Sequence, residues 1–217
     1  MSASTGGLVS SGSERLPRLD LYVDLPNVER ELKRLNLPHK LDWGRIGKSV
    51  AARVAGAPYH LQRVNCFAST TRYDPRTGKG RPEGWYNKLV ELPSVQVRWG
   101  HRLRFPDVRG AASADHGVEK LGREKGVDVA LASTMVERAC TSRFDVALLI
   151  SNDTDFATVA WQMRRLGKRV LWGHLETQRD NRYLPYACER ACLLSVPFFR
   201  EHELKTSQDR EARSRSE

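Results

Sequence analysis

Four aspartates stand out in a chain that is otherwise basic: Asp24, Asp128, Asp153 and Asp155. Asp24 sits at the end of the apolar run LDLYVDL (Leu19–Leu25), just before an expected turn at Pro26-Asn27. Asp153 and Asp155 follow directly on a second apolar run, FDVALLIS (Phe144–Ser151), and Asp155 opens a helical pattern. Asp128 opens another helical pattern, Val127–Cys140, immediately upstream of that run. Carboxylates gathered at one place repel and raise one another's pKa unless a positive charge sits among them. A hard divalent cation such as Mg²⁺ or Mn²⁺ supplies that charge and prefers oxygen ligands. Its chemistry would be to activate a water and neutralise charge on a phosphate. Other roles stay open for single members. Asp155 could be an ordinary helix N-cap, and Asp128 a first-turn carboxylate favoured by the helix dipole. Asp24, a charge ending a buried strand, needs a partner.

Strands and helices must bring these residues together. Strand patterns cover Leu19–Leu25, Tyr59–Ala68, Val95–Gly100, Phe144–Ser151, Lys168–Gly173 and Cys192–Val196. Helical patterns cover Asp42–Ala55, Glu83–Leu92, Val127–Cys140, Asp155–Leu166 and Asn181–Arg190. A strand as uniformly apolar as Val146–Ile150 is buried on both faces, which marks a parallel sheet between helix layers. The alternation of β and α elements gives an α/β, Rossmann-like fold. Ligands of such sheets bind beyond the carboxyl ends of the strands, where strand order reverses. If the first and fourth strands are neighbours there, Asp24, Asp153 and Asp155 share one edge.

The chain of 217 residues carries a formal charge of +10, and its pI is about 9.8. A polyanionic partner suits that charge, because each Lys or Arg on a phosphate releases a counterion. Arg72, Arg76, Lys79 and Arg81 follow the second strand; Arg102, Arg104 and Arg109 follow the third, on the expected acidic edge. Lys125, near Asp128, could touch phosphate or pair with that carboxylate. Tyr73, Trp85 and Trp99 could stack on bases, with packing favoured for the two tryptophans. Four cysteines without zinc-like spacing read as buried free thiols of a cytoplasmic protein. No window is apolar enough to span a membrane. Residues 1–17 read as disordered, 18–199 as the compact domain and 200–217 as a charged tail. Pro197-Phe198-Phe199 could form a homodimer or other protein contact, or close the core.

Three blocks carry a resemblance: Y-V-D-L-P-N (Tyr22–Asn27), E-K-G-V-D-V-A-L-A (Glu124–Ala132) and L-L-I-S-N-D-T-D-F (Leu148–Phe156), the last followed by R-R-L-G-K-R-V (Arg164–Val170). Their order and spacing resemble the NYN domain, a branch of the PIN-like nucleases, over about Leu19 to Val196. The resemblance implies a PIN-like Rossmannoid three-layer sandwich with a mostly parallel central sheet. It also implies divalent-metal-dependent cleavage of RNA, with Mg²⁺ or Mn²⁺. It assigns Asp24, Asp128, Asp153 and Asp155 to metal binding and catalysis, Asp24 and Asp153 as direct ligands. Asn27 and Ser151 would orient the site by hydrogen bonds.

The chain departs from that pattern at Thr134, where many family members carry a further Asp. A hydroxyl does not replace a carboxylate's charge, which favours one metal over two. It also keeps open a catalytically weak module that binds RNA or a protein partner. D-T-D (Asp153–Asp155) is similar to the D-x-D of haloacid-dehalogenase-like phosphatases, but Ala157 stands where they carry Thr or Val.

Overall fold

A computed structural model of the chain describes residues 15–55, 58–70, 72–74, 79–81, 85–102, 124–178 and 181–204. Strand β1 (Arg18–Asp24) lies mid-sheet, parallel to β2 (His60–Thr70) on one side and β7 (Val146–Ile150) on the other. β5 (Val95–Arg102) continues the sheet beyond β2, while β8 (Arg169–His174) and β9 (Arg190–Leu193) continue it beyond β7, all parallel. The short β6 (Glu124–Lys125) pairs antiparallel with β5 and completes a seven-stranded sheet. A separate antiparallel ladder joins β3 (Arg72–Asp74) and β4 (Lys79–Arg81). The sheet is therefore mostly parallel, as expected.

Alternation along β1 splits the core into two layers. Leu19, Leu21 and Val23 face a cluster that includes Leu25, Val28 and Leu32 of α1 (Leu25–Arg34) and Trp43 and Ile46 of α2 (Trp43–Ser49). The same layer takes Leu89 of α3 (Tyr86–Val90) and Phe199 of α7 (Val196–Glu201). Tyr22 faces the other layer, with Leu131 of α4 (Val127–Cys140), Met163 of α5 (Phe156–Arg165) and Leu184 of α6 (Leu184–Ala187). All five β7 residues are buried, as a strand covered on both faces must be.

Some expectations shift. The turn at Pro26-Asn27 is the first turn of α1, where a proline costs nothing because its missing N–H has no intrahelical acceptor. The helix expected over Asn181–Arg190 contracts to α6, and the chain re-enters the sheet at Arg190, ahead of the strand expected at Cys192. α2 runs on into a π-helical turn, Val50–Val54. Phe199 is buried in the core, the second of the two roles open to it. Three cysteines are buried thiols, whereas Cys140 is exposed at the end of α4. Most of the two expected tails, 1–14 and 205–217, lies outside the described residues. The chain stays bound to the fold past residue 199, because Leu204 N–H donates to the Lys40 carbonyl at 2.8 Å. Among the described residues no helix is long and apolar enough to cross a membrane.

Candidate active site

The sheet changes direction at β1 and β7. From β1 the chain turns into α1 on one face; from β7 it turns into α5 on the other. The crevice left between such departures is where open α/β sheets bind ligands. Here it is a cavity of about 320 Å³ whose lining includes Asp24, Asn27, Arg30, Gly126, Asp128 and Asp153. Three of the four expected carboxylates thus face one space, from the end of β1, the start of α4 and the loop after β7. Asp155 is absent from that lining, yet its charge acts on Asp128.

Hydrogen bonds fix the acidic loop to β1. The Ser151 hydroxyl donates to Asp24 Oδ2 at 2.8 Å and accepts the Asp153 N–H at 3.1 Å. Asp24 Oδ1 accepts the Asn27 N–H at 3.3 Å, so it also caps α1. Asn27 Oδ1 in turn accepts the Asn152 N–H at 3.0 Å. Ser151 and Asn27 therefore tie the acidic loop to the end of β1. Asp153 Oδ1 takes the Asp155 N–H at 2.9 Å. Asp155 stands at the N-cap of α5 but makes no side-chain capping bond, so the capping role does not account for its carboxylate. Asp128 lies in the first turn of α4, behind Gly126. Gly126 has φ +84°, a left-handed conformation natural to glycine, and this lets β6 turn sharply into α4.

The Asp128 carboxyl is pushed above its ordinary range, first by burial and then by the charges of Asp153 and Asp155. Negative charge is thus crowded around Asp128, and a cation would relieve that repulsion. Among the described residues no group of three or more His, Cys, Asp or Glu side chains is gathered closely enough to hold a metal ion by itself. The three carboxylates of this lining still fit Mg²⁺, which takes oxygen ligands, keeps several waters and needs only one or two direct carboxylates.

Several supporting residues escaped the sequence reading. Arg30 is exposed on α1 and lines the cavity; with α1 read as a turn, nothing placed it there. Asn181 is buried and holds the acidic loop at Asn152, the residue that also bonds Asn27. Its amide donates to Asn152 O and Oδ1 at 3.0 and 3.1 Å. Its own oxygen accepts the N–H groups of Tyr183 and Leu184, both at 3.0 Å. Trp172 donates from its indole to the Ser151 carbonyl at 2.9 Å. Asp20, fully buried on β1, meets Arg138 of α4 at 2.6 Å and accepts the Tyr22 hydroxyl at 3.1 Å. Burial raises the Asp20 carboxyl, and the Arg138 hydrogen bond opposes that rise. This pair pins the far half of α4 to β1 and helps set where Asp128 falls. Asp20 alternates with Tyr22 and Asp24, and that spacing was the available signal.

Thr134 is buried on α4 and is not part of the cavity lining, so Asp128 is the α4 carboxylate at this space. Of the expected nucleic-acid contacts, Arg72 stands opposite Arg81, and Lys79 opposite Asp74, in the backbone register of the β3–β4 ladder. Arg102 and Lys125 lie on β5 and β6, on the strand pair leading to Gly126. Arg76, Arg104 and Arg109 lie outside the described residues. Trp85 and Trp99 both pack on Tyr86, with ring centroids 4.6 and 5.8 Å away, in the packing role favoured for them.

The profile of the NYN domain matches residues 18–192. No curated protein matches the sequence. A Vibrio parahaemolyticus protein of unknown function, known from a crystal structure, superposes with a TM-score of 0.57 at 16% identity, covering 84% of this chain and 96% of that one. This likeness concerns the fold alone. Phytolacca americana UGT2, solved with UDP-2-fluoro-glucose and pterostilbene, gives a TM-score of 0.35 at 16% identity over 76% of this chain and 31% of that one. So low a score carries nothing further.

Proposed function

The chain belongs to the NYN domain family, and from that premise we propose that it is a divalent-metal-dependent ribonuclease, cutting RNA internally at the β1–β7 crevice. The observation that carries this reading is the convergence of Asp24, Asp128 and Asp153 on one cavity, with Asp128 raised by its acidic neighbours. Asp24 and Asp153 would hold Mg²⁺ or Mn²⁺ directly, and Asp128 and Asp155 would hold its waters. When bound, the ion supplies Lewis acidity and a more acidic water. Ser151 and Asn27 orient the Asp24 carboxylate and hold the backbone that presents Asp153 through the bonds described above. Arg30 binds a phosphate oxygen at the cavity wall, and a guanidinium fork suits that contact. Arg72, Arg76, Lys79, Arg81, Arg102, Arg104 and Lys125 would attract the RNA backbone. The buried free thiols fit a reducing compartment such as the cytoplasm.

The test is cleavage of end-labelled RNA with Mg²⁺ or Mn²⁺, against EDTA and against Asp153→Ala. The nuclease reading expects cleavage that both controls abolish. Activity surviving the substitution points to a contaminating enzyme. The lack of a ready three-ligand group among the described residues favours one alternative, a module that binds RNA or a protein without cutting. Inert wild type and inert Asp153→Ala that bind RNA equally would establish that module instead.

A further inference from the structure

Helices α5 and α6 carry an aromatic surface that the acidic cavity does not use. Among the described residues the large aromatic side chains left exposed are Trp99, Trp161, Tyr183 and Tyr186, and Trp99 is engaged by Tyr86. Of the other three, Trp161 lies on α5, Tyr183 just before α6 and Tyr186 on α6, at 49%, 65% and 78% exposure. Burying such rings is favourable, so keeping three of them in water calls for a reason.

Their placement follows from the fold. α5 starts beside Asp155 and runs back from the carboxyl edge of the sheet, since it links two parallel strands. α6 links β8 to the parallel β9 and descends the same way. The two helices touch, and Arg164 on α5 donates to the Ala187 carbonyl at the end of α6 at 3.4 Å. Trp161 lies six residues beyond Asp155, about 9 Å along the helix axis. Tyr183 is tied directly to the acidic loop, because its N–H donates to Asn181, whose amide holds Asn152. Tyr183 thus sits next to the loop that presents Asp153, and Arg164 bridges Trp161 to the end of α6.

Its charge points to one kind of occupant. Arg164 sits over the Trp161 ring, 4.8 Å from the centroid, and Arg165 and Arg182 are also exposed here. Exposed rings interleaved with guanidinium groups form a stacking platform for unpaired bases, with cations along the backbone. We propose that Trp161, Tyr183 and Tyr186, with Arg164 and Arg182, form a base-stacking track for single-stranded RNA. The track leads a strand away from the acidic cavity down the α5–α6 face. It rests on the nuclease reading for its substrate class, but binding can be measured apart from cutting.

The test uses the full chain carrying Asp153→Asn, with fluorescence anisotropy of labelled single-stranded RNA. Trp161→Ala, Tyr183→Ala and Tyr186→Ala are each expected to weaken binding about fivefold or more. Tyr183→Phe and Tyr186→Phe retain binding, and an abasic strand of equal length shows no such dependence. In the cleaving protein the alanine variants raise KM for long RNA and leave turnover of a dinucleotide unchanged. If alanine variants with unaltered circular dichroism and Tm bind single-stranded RNA like the parent, the track does not exist. Sedimentation showing that Tyr186→Ala splits a dimer, with RNA binding intact, would make the surface a protein interface and also overturn it. Ring-dependent binding by a wild type that cuts nothing supports the track and rejects the nuclease. Normal cutting by ring variants that bind normally does the reverse.

Discussion

Replacing Asp128 by Asn removes one of the charges that crowd the cavity. Its carboxyl is raised in the folded protein, so at neutral pH the ionised group opposes folding, and a neutral amide lifts that opposition. Without metal, Asp128→Asn should therefore be more stable than wild type, by up to about 1 kcal/mol given its exposure to solvent. The same change should lower metal-dependent cleavage by about 10- to 100-fold. Urea midpoints in EDTA and single-turnover cleavage measure the two effects, and a destabilised variant would contradict the repulsion argument. Asn181 sets the opposite expectation. It makes two bonds to Asn152 and takes two from the start of α6. Asn181→Ala should cost about 1–3 kcal/mol and slow cleavage as the acidic loop loosens. Thermal unfolding with full loss of neither fold nor RNA binding would separate that loosening from collapse.

At the level of elements, the close approach of α2 to β2 depends on one missing methyl group. A Cβ built on Gly47 would meet Val64 Cγ2 at 2.5 Å and Leu61 Cδ2 at 3.1 Å. Gly47→Ala should therefore destabilise by about 1–3 kcal/mol. Because α2 does not line the cavity, the folded variant should cut at the wild-type rate, and Tm set against kcat checks both halves. Elements with a single strong pattern were readable in advance. β7 is an unbroken apolar run, and α4 fills the expected bounds Val127–Cys140. α1 was not readable because Pro26-Asn27 has the composition of a turn, and its helical start depends on the Asp24 carboxylate accepting the Asn27 N–H. Asp24 and Asp153 were readable as candidates from their positions at strand ends, and Asp128 from its place at the start of a helical pattern. Asn181 and Trp172 were not, since their partners in the acidic loop lie 29 and 21 residues away in sequence. Nothing local distinguishes them from ordinary polar and apolar residues.

For the whole molecule, the ion pair at the opposite edge of the same two strands makes stability depend on acid. Arg18 holds Asp145 through a 2.7 Å bond and lowers its carboxyl from 3.8 to about 2. The pair stabilises the fold fully above the ordinary value, and that contribution disappears as pH falls through about 2. Asp145 is 42% exposed, so the contribution stays below about 1 kcal/mol. Arg18→Met should lower the urea midpoint at pH 6 and approach wild type near pH 2; a gap that widens in acid would contradict the assignment. At the other end of these strands, the bond between Ser151 and Asp24 spans 127 residues of sequence. Parallel pairing over so long a separation gives high contact order and slow closure. A growing chain on the ribosome thus carries β1 and its aspartate long before the second wall of the cavity has been synthesised. The assembled acidic crevice is a late product of folding, and any partial chain ending before β7 lacks it.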